Sequence, residues 1–151
     1  MKKVFLGGTY DSIWRDKMII YLREEGCKWF NPVVPDWTEE CMVREIKERE
    51  TCDFVLYTIT PKMTGVYSIA EVIDDSNKRP DKTILVILSC DEDLRFSEGQ
   101  WKSLMAVAKM VDRNGGVVFN NLKFAAMYIG GKTVSDIFNK IKKINKRIYN
   151  G

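Results

Sequence analysis

Asp53-Phe54-Val55-Leu56-Tyr57-Thr58-Ile59 is the stretch on which the fold turns. It is apolar, β-branched and aromatic without Gly or Pro, the composition of a strand buried on both faces. Thr83-Ile84-Leu85-Val86-Ile87-Leu88 repeats that character. Between the two lie a loop, Thr60 to Gly65, and a helical segment from Val66 to about Asn77, ended by Lys78-Arg79-Pro80-Asp81. A strand, a helix and a second continuous apolar strand predict a parallel sheet covered on both faces.

The flanking sequence extends the alternation. Lys3 to Leu6 is a short β-prone run that stops at Gly7-Gly8, and Ile13, Met18, Ile19 and Leu22 then recur with a helical period until Gly26. Lys28 to Phe30 reads as a short strand, and Thr38 as the N-cap of a charged helix running to about Glu50. Ser97 to about Val111 is helical, Asn114-Gly115-Gly116 is a turn, and Val117 to Phe119 is a short last strand. Thr133 to Tyr149 predicts an amphipathic helix whose stripe (Val134, Ile137, Phe138, Ile141, Ile144, Ile148) docks it to the domain. The expectation is one α/β domain over residues 1–151. Its sheet is doubly wound, parallel and five-stranded, of flavodoxin-like order, in a Rossmann-like three-layer sandwich.

Composition narrows the chemistry. At 151 residues, with 45% hydrophobic and 30% charged, the chain reads as one soluble globular domain. No apolar run approaches the roughly 18 residues of a membrane span, and Met1-Lys2-Lys3 leads straight into a strand, so a cytoplasmic location is expected. A net charge of +3 gives no reason to expect nucleic acid, and the lysines near the C-terminus read as a solubilising face. With no histidine there is no Ser-His-Asp or Cys-His catalysis and no imidazole ligand for a metal. The four cysteines show no CxxC spacing and read as small buried apolar groups, so neither metal nor cofactor is expected. Carboxylates, hydroxyls, cations and backbone groups remain.

In a doubly wound sheet, ligands sit beyond the carboxyl ends of the strands, which selects Gly7 to Ser12, Asn31 to Trp37 and Thr60 to Glu71. Gly7-Gly8-Thr9 allows a ligand to approach the backbone, or makes a tight turn only; it is neither GxGxxG nor a Walker loop. After Gly65, Ser68 and Glu71 stand three residues apart on one helix face. Val66, Ile69, Ala70 and Ile73 form the expected core stripe, and Ser68, Glu71 and Asp75 the opposite face, solvated unless the sheet edge turns it into a site. The helix dipole would favour an ionised Glu71, as a carboxylate nucleophile requires. Asp53, at the start of its strand, belongs to the amino edge. Asp36-Trp37 pairs a carboxylate with an aromatic plate, suited to a nucleoside or to loop packing. Trp14-Arg15 offers a ring and a cation near the cleft, and equally a surface helix turn. Asp91-Glu92-Asp93 reads as solvated loop charge.

Taken in order, Phe5-Leu6-Gly7-Gly8-Thr9, Trp14-Arg15, Phe30-Asn31-Pro32, Pro35-Asp36-Trp37, Cys52 to Tyr57, Ile59-Thr60-Pro61 and Gly65 to Glu71 resemble the nucleoside 2-deoxyribosyltransferase-like family, over roughly residues 3 to 90. The resemblance implies that Glu71 attacks the anomeric carbon of a 2′-deoxynucleoside. A covalent glycosyl-enzyme then passes its sugar to a free nucleobase or to water. It implies a sugar or phosphate contact for Ser68, a base-side place for Asp53, and a homo-oligomer whose subunits complete each other's sites; Asn120 and Asn121, outside the matching stretch, are candidates for such a contact. Two departures stand out. Phe5 occupies the place of a tyrosine that orients the nucleophile, with Tyr10 a substitute. The loop Pro61-Lys62-Met63-Thr64 lacks the family's carboxylate, which leaves Asp36 and Asp11 as proton donors. Lys62 and Arg15 would suit a phosphorylated substrate. Transfer is the leading expectation. Hydrolysis of deoxynucleoside 5′-monophosphates, or of a related nucleotide, is the alternative, and a non-catalytic nucleotide-binding module a second.

Overall fold

The structure is a computed structural model and describes residues 1–149. In chain order the elements are β1 (Lys3–Gly8), α1 (Trp14–Glu24), β2 (Lys28–Phe30), α2 (Glu39–Thr51), β3 (Phe54–Ile59), α3 (Tyr67–Lys78), β4 (Thr83–Ile87), β5 (Cys90–Asp91), β6 (Leu94–Arg95), α4 (Glu98–Asn114), β7 (Val117–Phe119), α5 (Leu122–Ile129) and α6 (Val134–Tyr149). Five strands pair in the order β2-β1-β3-β4-β7, every pairing parallel. This is the flavodoxin-like doubly wound α/β fold.

Alternation along the strands divides the core in two. Val4, Leu6, Leu56, Ile84 and Val86 pack on one face against Trp14, Met18 and Leu22 of α1 and Ala125, Ala126 and Ile129 of α5. Phe5, Val55, Tyr57, Ile59, Leu85 and Ile87 pack on the other against Val72 of α3 and Leu104 and Val111 of α4. Thr38 caps α2 by accepting a hydrogen bond from the Cys41 amide at 3.3 Å, as its position in the sequence predicts.

Four local expectations are corrected. α3 turns Val72, Asp75 and Ser76 inward and leaves Val66 outside, 72% exposed. Asp75 goes inward because two arginines and a phenol meet it there, described below. α5, capped by Asn121 through the Phe124 amide at 3.1 Å, is a helix where the sequence reading has none; its eight residues, apolar but for Lys123, are too few for periodicity to declare itself. Asp91 is 7% exposed rather than solvated, because it lies at the end of β5 in the β5-β6 hairpin and accepts hydrogen bonds from Ser12 Oγ (2.5 Å) and Thr60 Oγ1 (2.6 Å). Of the stripe on α6, Ile137 is buried while Val134, Phe138 and Ile144 stay exposed, so that face docks only in part; the Ile148 side chain lies outside the described residues. α2 has no buried residue at all.

Gly8 ends β1 with φ +119°, and a Cβ there would collide with the Thr58 backbone of the neighbouring strand. Gly8→Ala is therefore expected to lower the unfolding free energy by about 2–3 kcal/mol, from strain at positive φ and from overpacking, measured by urea denaturation.

Candidate functional site

A cavity of about 410 Å³ opens beyond the carboxyl ends of β1 and β2. Its floor is Phe5, Gly7 and Gly8, one wall is the loop Pro32 to Pro35 with Trp37, and the opposite wall is Ser68 and Glu71 of α3, with Glu45 from α2. A volume of this size falls in the range of roughly 300–1,000 Å³ that small-molecule sites occupy. Tyr10 reaches across the mouth, its hydroxyl donating to the Val34 carbonyl at 3.5 Å. A smaller cavity of about 160 Å³ shares Gly8, Tyr10 and Ser68 with the first and continues past Thr9, Asp11, Lys62 and Gly65.

The expected residues divide three ways. Gly7, Gly8, Tyr10, Trp37, Ser68 and Glu71 line the main cavity, and Thr9 and Gly65 line the smaller one. Trp14 and Arg15 brace the turn between β1 and α1. The Trp14 indole is 2% exposed and donates to the Thr9 carbonyl at 2.8 Å. Arg15 touches the cavity, but its guanidinium is committed to the backbone: Nε donates to the Leu6 carbonyl at 3.1 Å and Nη1 to the Thr9 carbonyl at 2.7 Å. Burial lowers its pKa to about 10. It is a brace for the turn after β1 rather than a free cation. Asp36 is exposed and lines neither cavity. Asp53 sits at the far end of the sheet, where its carboxylate accepts a hydrogen bond from the Lys3 amide at 2.8 Å. A parallel strand carries its first residue to the amino edge, so Asp53 and the cavity are separated by the length of β3.

Glu45 and Arg49 are the site residues that the sequence reading misses. They stand four apart on α2, one turn, and so share a face. Arg49 Nη1 lies 3.3 Å from Glu71 Oε2, behind a carboxylate whose side chain is only 15% exposed. The rest of the guanidinium is a fork on Asp75: Nε donates to Oδ2 at 3.2 Å and Nη2 to Oδ1 at 3.0 Å. Asp75 is fully buried and also accepts from the Tyr57 hydroxyl at 2.5 Å and from Arg79. Nothing in the string Glu39 to Thr51 marks which face turns inward, because no apolar residue of α2 is buried to mark it.

Burial pushes the Glu71 carboxyl above the usual carboxylate range; Arg49 opposes this, while Glu45 and Asp75 add to it. Burial likewise raises Glu45, opposed by the Trp37 indole within its reach and by Arg49. The expected dipole effect on Glu71 is minor. α3 begins at Tyr67, which leaves Glu71 just past the first turn, where that field fades. Two carboxylates that keep their protons more readily than usual, facing one cavity, make a constellation for acid–base and nucleophilic work.

Residues 1–88 match a family described as nucleoside 2-deoxyribosyltransferase like. The chain belongs to that family. The matched part carries every wall of both cavities, so Glu45, Ser68 and Glu71 all fall inside it. A comparison with curated proteins finds no significant match. Among the described residues no helix is long and apolar enough to cross a membrane, and no group of three or more acidic or cysteine side chains is arranged around a metal position.

The raised pKa of Glu71 has a consequence for stability. The folded protein binds a proton at Glu71 more tightly than the unfolded chain does, so its contribution to stability declines as pH rises from the unfolded value through the folded one. Glu71→Gln is expected to unfold at a higher temperature than the parent at pH 7, with the difference shrinking toward pH 4, measured by thermal melts across that range.

Proposed function

We propose that this member of the nucleoside 2-deoxyribosyltransferase-like family cleaves the N-glycosidic bond of a 2′-deoxynucleoside and transfers the sugar to a second nucleobase. The observation that carries the reading is the pair of half-buried carboxylates, Glu45 and Glu71, on the neighbouring helices α2 and α3 at one wall of an aromatic-lined cavity at the carboxyl edge of the sheet. Phe5, Tyr10 and Trp37 supply faces on which a base stacks, and the backbone of Gly7 and Gly8 forms the floor beneath the sugar.

In the first half-reaction the Glu71 carboxylate bonds to the anomeric carbon. The carbon–nitrogen bond breaks with its electron pair going to the base, and Glu45 gives that base its proton. The second half runs in reverse with a new base: its nitrogen attacks the anomeric carbon, the Glu71–carbon bond breaks, and Glu45 accepts the proton. Two inversions leave the sugar with its original configuration. Glu45 suits the donor role because burial keeps it protonated to a higher pH, and it fills the place for which the sequence offered only Asp36 and Asp11.

A second reading is favoured by one feature, the smaller cavity beside Ser68. There Lys62, Gly65 and the first turn of α3 surround a space suited to a 5′-phosphate, and water rather than a base would take the sugar. Lys62 is paired with Glu92 at 3.0 Å and would have to leave it to meet a phosphate. We read the active form as a homo-oligomer, since α2 presents Met42, Val43 and Ile46 to the outside beside the site. Four free cysteines suit a reducing cytoplasm.

Incubation with each deoxynucleoside and each monophosphate, with and without a second base, tests the proposal by chromatography. A new nucleoside that forms only with the acceptor supports transfer. Free base released without an acceptor supports the hydrolase, and binding without turnover supports a nucleotide-binding module. Glu71→Ala is expected to lose activity by at least about a thousandfold. Glu45→Gln should lose about a hundredfold or more on natural bases, and less on a nucleoside whose base leaves unprotonated.

A further inference from the structure

The contact between α2 and α3 assigns a task to a residue outside the cavity. Arg49 does not line the main cavity, yet it is the cation in contact with the carboxylate that does. Asp75 takes two edges of its guanidinium, Nε and Nη2, in a fork with both oxygens. A planar guanidinium held on one side by such a fork has its remaining nitrogen fixed in direction. That nitrogen, Nη1, is the one 3.3 Å from Glu71 Oε2. Tyr57 and Arg79 hold Asp75 in turn, so the chain of contacts runs from the central strand through α3 and α2 back to the cavity wall.

We propose that Arg49 is a positioning residue that fixes the Glu71 carboxylate in direction and keeps it charged, with Asp75 as the clamp that aims the guanidinium. The inference rests on the reading of Glu71 as the attacking carboxylate. The charged and titratable groups facing this carboxylate are few. α2 contributes Arg49 and Glu45, and α3 contributes Asp75, with Asp74 touching Arg49 Nη2 at 3.7 Å. β3 contributes Tyr57 through Asp75, while Tyr10 and Arg15 line the same cavity, the latter committed to backbone carbonyls. Burial, Glu45 and Asp75 all favour the protonated, unreactive form of Glu71; Arg49 opposes them. Phe5, the β1 side chain on the cavity floor, carries no group that can hydrogen-bond a carboxylate.

The test reads the carboxylate directly. Protein labelled with ¹³C at glutamate carboxyls is titrated by NMR, with the Glu71 signal assigned by its loss in Glu71→Gln. In Arg49→Met the Glu71 midpoint should rise by about one pH unit or more, the scale on which an adjacent opposite charge acts. The acidic limb of kcat/KM should move with it. Arg49→Lys keeps a charge beside Asp75 but cannot hold the fork and reach Glu71 together. Its midpoint should rise by a smaller step, and kcat should fall roughly tenfold even at a pH where Glu71 is ionised, a loss of aim rather than of charge. An amide spectrum checks that each variant is folded; if Arg49→Met is not, Arg49→Lys decides. A Glu71 midpoint equal to that of the parent in a folded variant overturns the proposal. Should the parent cleave no deoxynucleoside or monophosphate, the functional reading fails, and the carboxylate titration still decides the place of Arg49.

Discussion

A buried carboxylate governs how this molecule is put together. Asp75 has no exposure to water, and an ionised group in that position is tolerated only when its lone pairs are filled by strong donors. Tyr57, Arg49 and Arg79 fill them, from β3, from α2 and from the end of α3 itself. For α2 this matters more than for any other element. With no buried side chain, it lacks the apolar stripe that holds helices to a sheet, and polar contacts stand in its place: the fork of Arg49 on Asp75 and the pair of Glu48 with Lys3 of β1 at 2.6 Å. Moving α2 moves Glu45, and with it one wall of the cavity.

The other side of the site is fixed by a different device. Gly7 and Gly8 end β1 where Tyr57 and the Thr58 backbone of β3 fill the space a Cβ would take, and the turn beyond them needs support of its own. Arg15 and Trp14 supply it by donating to the carbonyls of Leu6 and Thr9, and Thr9 Oγ1 accepts from the Thr60 amide at 2.9 Å to tie the first loop to the one after β3. Asp91, reached from the hairpin after β4, receives the hydroxyls of Ser12 and Thr60 and clips the same two loops together. Loops at the ligand edge of such a sheet must be held without apolar packing, since their inner surface is the site. Side-chain bonds to backbone meet that requirement.

How much of this could be read along the chain depends on what each feature's signal is made of. Strand composition from Phe54 to Ile59 and from Thr83 to Ile87 is a local property and marked the central strands, while the order β2-β1-β3-β4-β7 is set by pairing between distant segments and was expected only from the fold class. That Glu71 and Ser68 share a helix face at the cavity edge was legible because their spacing and their place after a central strand are both local. Glu45 and Arg49 were not, since each sits in a uniformly charged stretch and only packing selects the inward face. Asp75 misled for the same reason: a helical wheel sorts residues by polarity, and here polarity does not follow burial, because three donors wait inside. Arg15 and Asp91 looked like free charges, and their partners are backbone carbonyls and hydroxyls distant in sequence.

Local sequence was enough to set the alternation of strand and helix, the parallel sheet and the edge at which the cavity opens, because apolar periodicity and turn residues act over a few neighbours. Which charges face the cavity and which brace it was left to packing between distant segments. That choice depends on pairs such as Glu71 with Arg49, 22 residues apart, and Asp91 with Ser12, 79 apart, whose stabilisation exists only once burial has removed water from between them.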